Sequence, residues 1–189
     1  EYAYIPVSWW IEIIEYFWSS TSLNIPNSIN WNIVTGIWRN SFISKWLNDV
    51  ILPSTLISIW YSAFNYNNLS SIIIPNSVNE IWTYAFQYNN LTSLNIPWNV
   101  IKISSNAFSY NNLTTVTISD WVEEIWTSSF SNNSLVNVTL PNTLTLIAPW
   151  AFKDQTSSAW WWTVTGPWSW YVFDTYLNNT NTEFDKGKL

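Results

Sequence analysis

Phenylalanine returns along this chain at a fixed step of 22 residues. The series consists of Phe42, Phe64, Phe86, Phe108, Phe130 and Phe152. A period of about 20–29 residues predicts a solenoid, in which each rung stacks on the next and buries its apolar side chains against it. Such an array has no single core and grows by adding rungs, so the period constrains the fold more strongly than the chain length does.

Four further apolar columns keep the same register. They are Leu47, Leu69, Leu91, Leu113 and Leu135; Val50, Ile72, Leu94, Val116 and Val138; Leu52, Ile74, Ile96, Ile118 and Leu140; and Ile59, Ile81, Ile103, Ile125 and Ile147. The alternation within each rung predicts short strands near residues 48–52, 70–74, 92–96, 114–118 and 136–140. A proline closes four of these stretches and should end the strand, because it lacks the N–H that a ladder needs. A second extended piece is expected near Val100–Ile103, with little or no long helix.

Small and amide side chains accompany the phenylalanines. Alanine precedes most of them, which leaves room for the ring where two rungs pack closely. Asparagine follows three residues after the ring at Asn67, Asn89, Asn111 and Asn133. An amide both donates and accepts, so these side chains are predicted to form a ladder that satisfies the backbone groups of a buried turn.

These units resemble the BspA-like leucine-rich repeats of bacterial surface proteins. The segment SIIIPNSVNEIWTYAFQYNNL follows the family pattern L-x-x-I-x-I-P-x-x-V-x-x-I-G-x-x-A-F-x-x-N-x-L. The resemblance is close over 47–152 and looser over 23–46. It implies a right-handed leucine-rich-repeat coil with short parallel strands, and a non-catalytic cell-surface or secreted module that mediates protein binding or adhesion.

The repeats divide the chain into three parts. Residues 1–46 are interpreted as an N-terminal capping region with degenerate repeats and an insertion, because Pro26 and Phe42 are separated by more residues than the pattern allows. Residues 47–152 are the regular repeats, and 153–189 are a polar cap or linker in which 171–173 could form a last strand. The chain lacks an initiator Met and a signal-peptide pattern, and it reads as a segment of a longer protein.

Composition narrows the functions that the chain can have. The net charge is −6, with only six Lys and Arg and no basic run, which argues against nucleic acid and anionic membranes as partners. No apolar stretch is long enough for membrane insertion. The chain has no Cys and no His, so thiolate or imidazole metal sites and most nucleophile–base pairs are excluded. Glu123 and Glu124 are neighbours that point to opposite faces of an extended piece. We expect no enzyme, no metal and no cofactor.

The better candidate site is a surface. Side chains between the apolar columns of each predicted strand face outward and line up over successive rungs. This polar face comprises Asp49, Ile51, Ser71, Ile73, Ser93, Asn95, Thr115, Thr117, Asn137 and Thr139. Its polar members, which are all of these except the two isoleucines, are the candidate ligand-binding residues. A partner protein, or a glycan, is the expected ligand, and a purely structural spacer is the other alternative.

The composition is unusual in its tryptophans and glycines, because the chain has 17 Trp and only 3 Gly. A chain of this length should carry about 13 Gly. Trp60, Trp82 and Trp126 stand where the family pattern has Gly, a residue used where the backbone needs positive φ or close approach. We therefore hypothesise that most Trp are native glycines, in a gene that reads UGA as Gly but was translated with UGA as Trp. The rival interpretation is a genuine Trp stripe, interrupted at Ser104, on which sugar rings stack.

Overall fold

The protein is a β-solenoid in which each 22-residue period forms one rung. The computed structural model describes residues 2–7, 10–17, 20–155, 163–165 and 184–185, and these contain no helix. One sheet runs along the solenoid, and strands on a second side form two shorter sheets that are separated at residues 70–74. The proposed strand at 171–173 and most of the tail lie outside the described residues.

The first sheet takes the column isoleucine of each rung. Its strands are β1 (Tyr2–Val7), β2 (Trp10–Tyr16), β4 (Ser28–Ile29), β5 (Asn32–Ile37), β7 (Ser58–Ile59), β8 (Glu80–Ile81), β10 (Lys102–Ile103), β12 (Glu124–Ile125), β14 (Leu146–Ile147) and β16 (Phe184–Asp185). From β5 to β14 the pairing is parallel and in register, with Ile81 opposite Ile103 and Ile103 opposite Ile125. The second extended piece predicted near Val100–Ile103 is therefore confirmed as β10.

The second sheet carries the polar face and is divided into two parts. β3 (Ser22–Asn24) pairs with β6 (Asp49–Ile51), and β9 (Ser93–Ile96), β11 (Thr115–Ile118), β13 (Asn137–Thr139) and β15 (Thr163–Thr165) form a parallel four-stranded part. Four of the five predicted strands are found here. The strand predicted at 70–74 is wrong, because this stretch pairs with neither neighbouring rung and no strand forms.

The interior is a stack of phenylalanine rings. All six members of the column are fully buried. The rings of Phe86 and Phe108 lie 5.5 Å apart with 4° between their planes, and those of Phe108 and Phe130 lie 5.7 Å apart at 10°. The small residue before each ring is buried too, as at Ala107. Because each rung fills the space under the next, the core is continuous along the axis.

Two hairpins occupy the N-terminal part. β1 and β2 pair antiparallel, and β2 then pairs parallel with β5, which joins this hairpin to the regular rungs. β4 and β5 form a second, smaller hairpin whose two-residue loop is Asn30–Trp31. This second hairpin lies within the stretch where the sequence spacing indicates an insertion.

Candidate functional site

The polar face lies on the second sheet, where alternation turns it outward. In β9 and β11 the residues alternate strictly between exposed and buried. The predicted site residues Asp49, Ser71, Ser93, Asn95, Thr115, Thr117 and Thr139 are all exposed. Asn137 lies in β13, where it pairs with Thr115 on one side and Thr163 on the other. The predicted residues of β9, β11 and β13 therefore lie on consecutive paired strands, whereas Asp49 lies in the separate two-stranded part and Ser71 in no strand.

Hydroxyl and amide groups dominate this surface. Asp49 is its one charged member, and Ser22 Oγ of the preceding rung donates to Asp49 Oδ2 at 3.4 Å. Ile51 and Ile73 are its two apolar members, 55% and 85% exposed respectively. Small polar groups on a regular parallel backbone can form many hydrogen bonds over a wide area, but they do not enclose a small molecule.

An amide ladder fixes the turn beside this face. Asn111 Oδ1 accepts from the backbone N–H of Leu91 at 3.1 Å, and its Nδ2 donates to the carbonyls of Phe86 and Phe108 at 3.0 and 3.2 Å. Asn67, Asn89 and Asn133 repeat this arrangement. The predicted asparagine ladder is confirmed, and it holds successive rungs in register.

Gln155 extends the ladder to the last described rung, and sequence reasoning missed it. Its Oε1 accepts from the N–H of Leu135 at 3.0 Å, and its Nε2 donates to the carbonyls of Phe130 and Phe152 at 2.9 and 3.0 Å. The available signal was its position three residues after Phe152, combined with an amide of the same hydrogen-bonding capacity.

The backbone conformation corrects one premise about tryptophan. In every rung the residues two before and two after the phenylalanine have positive φ, as at Tyr84 (62°) and Tyr88 (53°). Trp60, Trp82 and Trp126 are not among the positive-φ residues, so the conformational reason given for glycine at these three positions is wrong. Positive φ is found instead at Trp31, Trp46 and Trp150, at 67°, 59° and 61°.

Tryptophan rings nevertheless stack on the first sheet. Trp60 lies between Trp38 and Trp82, with ring centroids 5.1 and 4.9 Å away, so both of its ring faces are covered. Its buried Nε1 makes no hydrogen bond of normal geometry, but it interacts with the Glu12 carboxyl, whose pKa burial raises and this contact lowers. Ser104 interrupts the column, and there a depression of about 370 Å³ opens beside Trp82 and Lys102.

Beyond this gap, charged groups close around Trp126. Lys102 Nζ lies 3.7 Å from the centroid of the Trp126 ring and 4.0 Å from Glu124 Oε2. Trp126 Nε1 donates to the same carboxylate oxygen at 2.7 Å. This carboxylate therefore already has two partners within the protein.

A third aromatic row follows the turn after the phenylalanines. Tyr88 stacks between Tyr66 and Tyr110, with both centroid distances at 4.4 Å. Burial raises the pKa of Tyr88, and the neighbouring Tyr110 and Tyr66 raise it further. Its hydroxyl is therefore neutral at physiological pH.

No metal centre is assembled in the described residues. They contain no group of three or more Asp or Glu side chains placed to hold a metal ion. The same part of the chain has no helix long and apolar enough to cross a membrane.

The repeat itself identifies the family. The BspA type leucine rich repeat region matches residues 35–158 in six copies, which is more than half of the chain. This chain belongs to the BspA type leucine-rich repeat family. The expected family and solenoid fold are thereby both confirmed. No curated protein matches the sequence.

Solved structures of leucine-rich repeat proteins share this solenoid fold at low sequence identity. A leucine rich cell surface protein from Faecalibacterium prausnitzii A2-165 has a TM-score of 0.66 at 22% identity, over 87% of this chain and 52% of its own. A leucine-rich repeat protein from Bacteroides ovatus has a TM-score of 0.59 at 20% identity, covering 83% and 49% of the two chains. The leucine rich repeat protein of T. pallidum has a TM-score of 0.57 at 18% identity, covering 70% and 78%. The present chain thus spans about half the length of the first two structures, and at these identities the likeness shows the fold alone.

Proposed function

We propose that this chain is a non-catalytic, cell-surface or secreted module that binds another protein through its polar face. The observation that carries the proposal is the alignment of exposed hydroxyl and amide side chains over successive in-register rungs. A rigid array of this kind presents many hydrogen-bonding groups to a large partner. The surface location is supported by the F. prausnitzii structure, which is described as a leucine rich cell surface protein.

The non-catalytic part of the proposal rests on the available side chains. Without His or Cys, acid–base or nucleophilic chemistry would have to use carboxylates, Lys, Tyr or Ser. Glu124, one of the two adjacent glutamates, is engaged by Lys102 and Trp126. A hydrolytic activity abolished by Glu123→Gln would overturn this part.

The polar face is tested by adding charge to it. In the double variant Thr115→Lys, Thr117→Lys, we expect the affinity for a partner found on an array of purified extracellular proteins to fall about tenfold or more, because two lysines become buried in the contact. The matched control, Ile101→Lys with Asn142→Lys, adds the same charge at exposed positions outside the face. Surface plasmon resonance measures both. Equal loss in the two variants, or no bound protein at all, would contradict the proposal.

A glycan platform is the second candidate, and one observation favours it. The face of Trp82 toward Ser104 borders the depression that also holds Lys102 and Glu80, which together offer a stacking surface and polar groups. The covered faces of Trp60 reduce the stripe to this single position. Binding on a glycan array that Trp82→Ala abolishes, while the polar-face variant retains it, would favour the glycan over the protein.

A structural spacer is the third candidate. A spacer needs only length, so deleting two middle rungs would leave partner binding intact. Loss of binding on this deletion, with the remaining rungs still folded, favours the polar face as the binding element.

We also propose that most tryptophans are glycines in the native protein, read from UGA codons. The strongest support is the hairpin between β4 and β5, where both loop residues, Asn30 and Trp31, have positive φ. Such a two-residue turn strongly prefers Asn-Gly. Trp31 is 99% exposed and has no packing role that would favour an indole there. UGG codons at Trp31, Trp46 and Trp150 would contradict the hypothesis that these residues are native glycines.

The hairpin also gives a measurable expectation. Trp31→Gly should raise the free energy of unfolding by about 1–2 kcal/mol, because a residue with a Cβ is strained in the left-handed region. The control is Trp98→Gly, at a half-exposed tryptophan without positive φ, which should be neutral or slightly destabilising. Urea denaturation measures both. Trp31→Gly as the less stable of the two would contradict the turn argument.

A further inference from the structure

The second sheet is interrupted at one rung. Within the described residues, the backbone N–H and C=O groups of 71–74 form no hydrogen bond to β6 on one side or to β9 on the other. The nearest bond between rungs on this side is from the N–H of Thr92 to the carbonyl of Ser70, at 3.3 Å. We call residues 49–51 together with 71–74 the seam. The peptide groups of 71–74 therefore lack the bonds between rungs that those of β9 and β11 make.

The seam is also where the polar face becomes apolar. Ile51 and Ile73 occupy equivalent positions of adjacent rungs, and the same position is Asn24 before them and Asn95 after them. Ile73 is 85% exposed, which is unusual for a large aliphatic side chain. A depression of about 350 Å³ lies between the two rungs, lined by both isoleucines with Asp49 and Ser71 at its rim.

Three kinds of recognition thus meet at one place: unpaired peptide groups, an aliphatic pair and a carboxylate. An extended polypeptide presents the complementary groups, since its backbone alternates N–H and C=O and its side chains recur at about 3.3 Å per residue. A sugar would leave the two isoleucines without apolar contact. The charge of Asp49 and the net charge of −6 favour a cationic ligand.

We propose that the seam binds an extended segment of a partner protein in which an aliphatic side chain stands beside a Lys or Arg. The aliphatic side chain packs between Ile51 and Ile73, the cation pairs with Asp49, and the segment's backbone bonds to the free peptide groups of 71–74. This inference rests on the proposed protein-binding function and specifies the chemistry of the ligand.

The first experiment titrates the full chain with end-blocked eight-residue peptides, followed by fluorescence anisotropy. The probe alternates Val and Lys, and two reference peptides alternate Val with Glu and Ser with Lys. We expect the Val–Lys peptide to bind tightest, about tenfold weaker to Ile73→Ser and several-fold weaker to Asp49→Asn. Ile101→Ser, at an isoleucine that is 52% exposed outside the seam, should bind as the unchanged chain does. A Val–Lys peptide that binds no tighter than the references, or equally to Ile73→Ser, would overturn the proposal.

Hydrogen exchange gives an independent readout. In the free chain the amides of 72–74 should exchange much faster than those of β11, which pairs on both sides, and the Val–Lys peptide should slow them. Equal protection of the two stretches before any peptide is added would mean that the seam is closed, and would overturn the proposal.

The two proposals fail in different ways. If the lysine pair at Thr115 and Thr117 abolishes binding of a partner protein while Ile73→Ser leaves it unchanged, the polar face binds and the seam proposal is wrong. If neither the lysine pair nor Ile73→Ser weakens binding more than its control does, the protein-binding function itself is wrong.

Discussion

Replacing Phe108 by alanine is expected to lower the free energy of unfolding by about 3–5 kcal/mol. The ring is fully buried between Phe86 and Phe130, with centroid distances of 5.5 and 5.7 Å. Its removal forfeits the transfer free energy of the ring and leaves a cavity that touches three rungs. The flanking rings are held by their own rungs and can close this space only partly.

Guanidinium denaturation monitored by circular dichroism measures the loss at Phe108. The matched control is Ile101→Ala, which truncates an apolar side chain that is 52% exposed and should cost well under half as much. Equal stability of Phe108→Ala and the unchanged chain would contradict the claim that the phenylalanine column forms the core of the solenoid. A loss at Ile101 as large as that at Phe108 would contradict the assignment of interior and surface.

Asn111→Ala is expected to cost about 3–5 kcal/mol, although it removes no apolar contact comparable to the ring. The change leaves the buried N–H of Leu91 without its acceptor, and it removes one of two asparagine donors to each of the carbonyls of Phe86 and Phe108. These carbonyls keep their bonds from Asn89 and Asn133. A buried group stranded without a partner costs about 1–3 kcal/mol, and each lost hydrogen bond about 0.5–1.5 kcal/mol. Because the three groups belong to neighbouring rungs, the loss should also loosen the register between them.

Asn112→Ala is the matched control for the ladder. Asn112 is the next residue in the chain and carries the same side chain, but it is exposed. Its truncation should change the free energy of unfolding by no more than about 0.5 kcal/mol. Thermal denaturation of the two variants decides the matter, and similar midpoints would contradict a structural role for the ladder.

Much of this architecture could be predicted from the sequence because it repeats. The position of Phe108 in a 22-residue series predicts its burial, and the position of Asn111 three residues later predicts its hydrogen bonds. Each such inference is made several times in one chain, so an accidental match at one rung is exposed by the others. β9 ends as expected at Ile96, directly before Pro97, but β11 ends at the equivalent Ile118, where Ser119 stands in place of the proline.

The sequence predictions fail where the geometry of a rung does not follow from its residue types. The segment at 70–74 is richer in isoleucine than β9 and should favour a strand, yet pairing depends on the distance and angle to neighbouring rungs. Positive φ at Tyr66 and Tyr88 was not foreseen, because tyrosine is not a typical left-handed residue. The asparagine at the equivalent position of another rung, Asn132, was the signal.

The sequence predicts which face of the solenoid carries the candidate site, but it does not predict which rungs of that face differ from the others. Alternation is enough to predict which side chains of β9 and β11 point outward. The seam differs from the rest of the face because its backbone is unpaired, and this pairing follows from the three-dimensional structure and not from the residue types. The sequence shows that Ile73 is an apolar residue in a mostly polar set. Its exposure indicates a binding site only in combination with the unpaired backbone of 71–74.

The central claim is that 22 residues form one structural unit, and an in-register deletion tests it most directly. Removing residues 87–108 joins Phe86 to Ser109 and takes out one complete period. We expect this shortened chain to keep its β-type circular dichroism and a cooperative unfolding transition, because each rung needs only an equivalent neighbour. Removing half a period from the same place should abolish both the β-type signal and the cooperative transition, because the phenylalanines of one rung would then face surface positions of the next. Two deletions that behave alike would contradict the account.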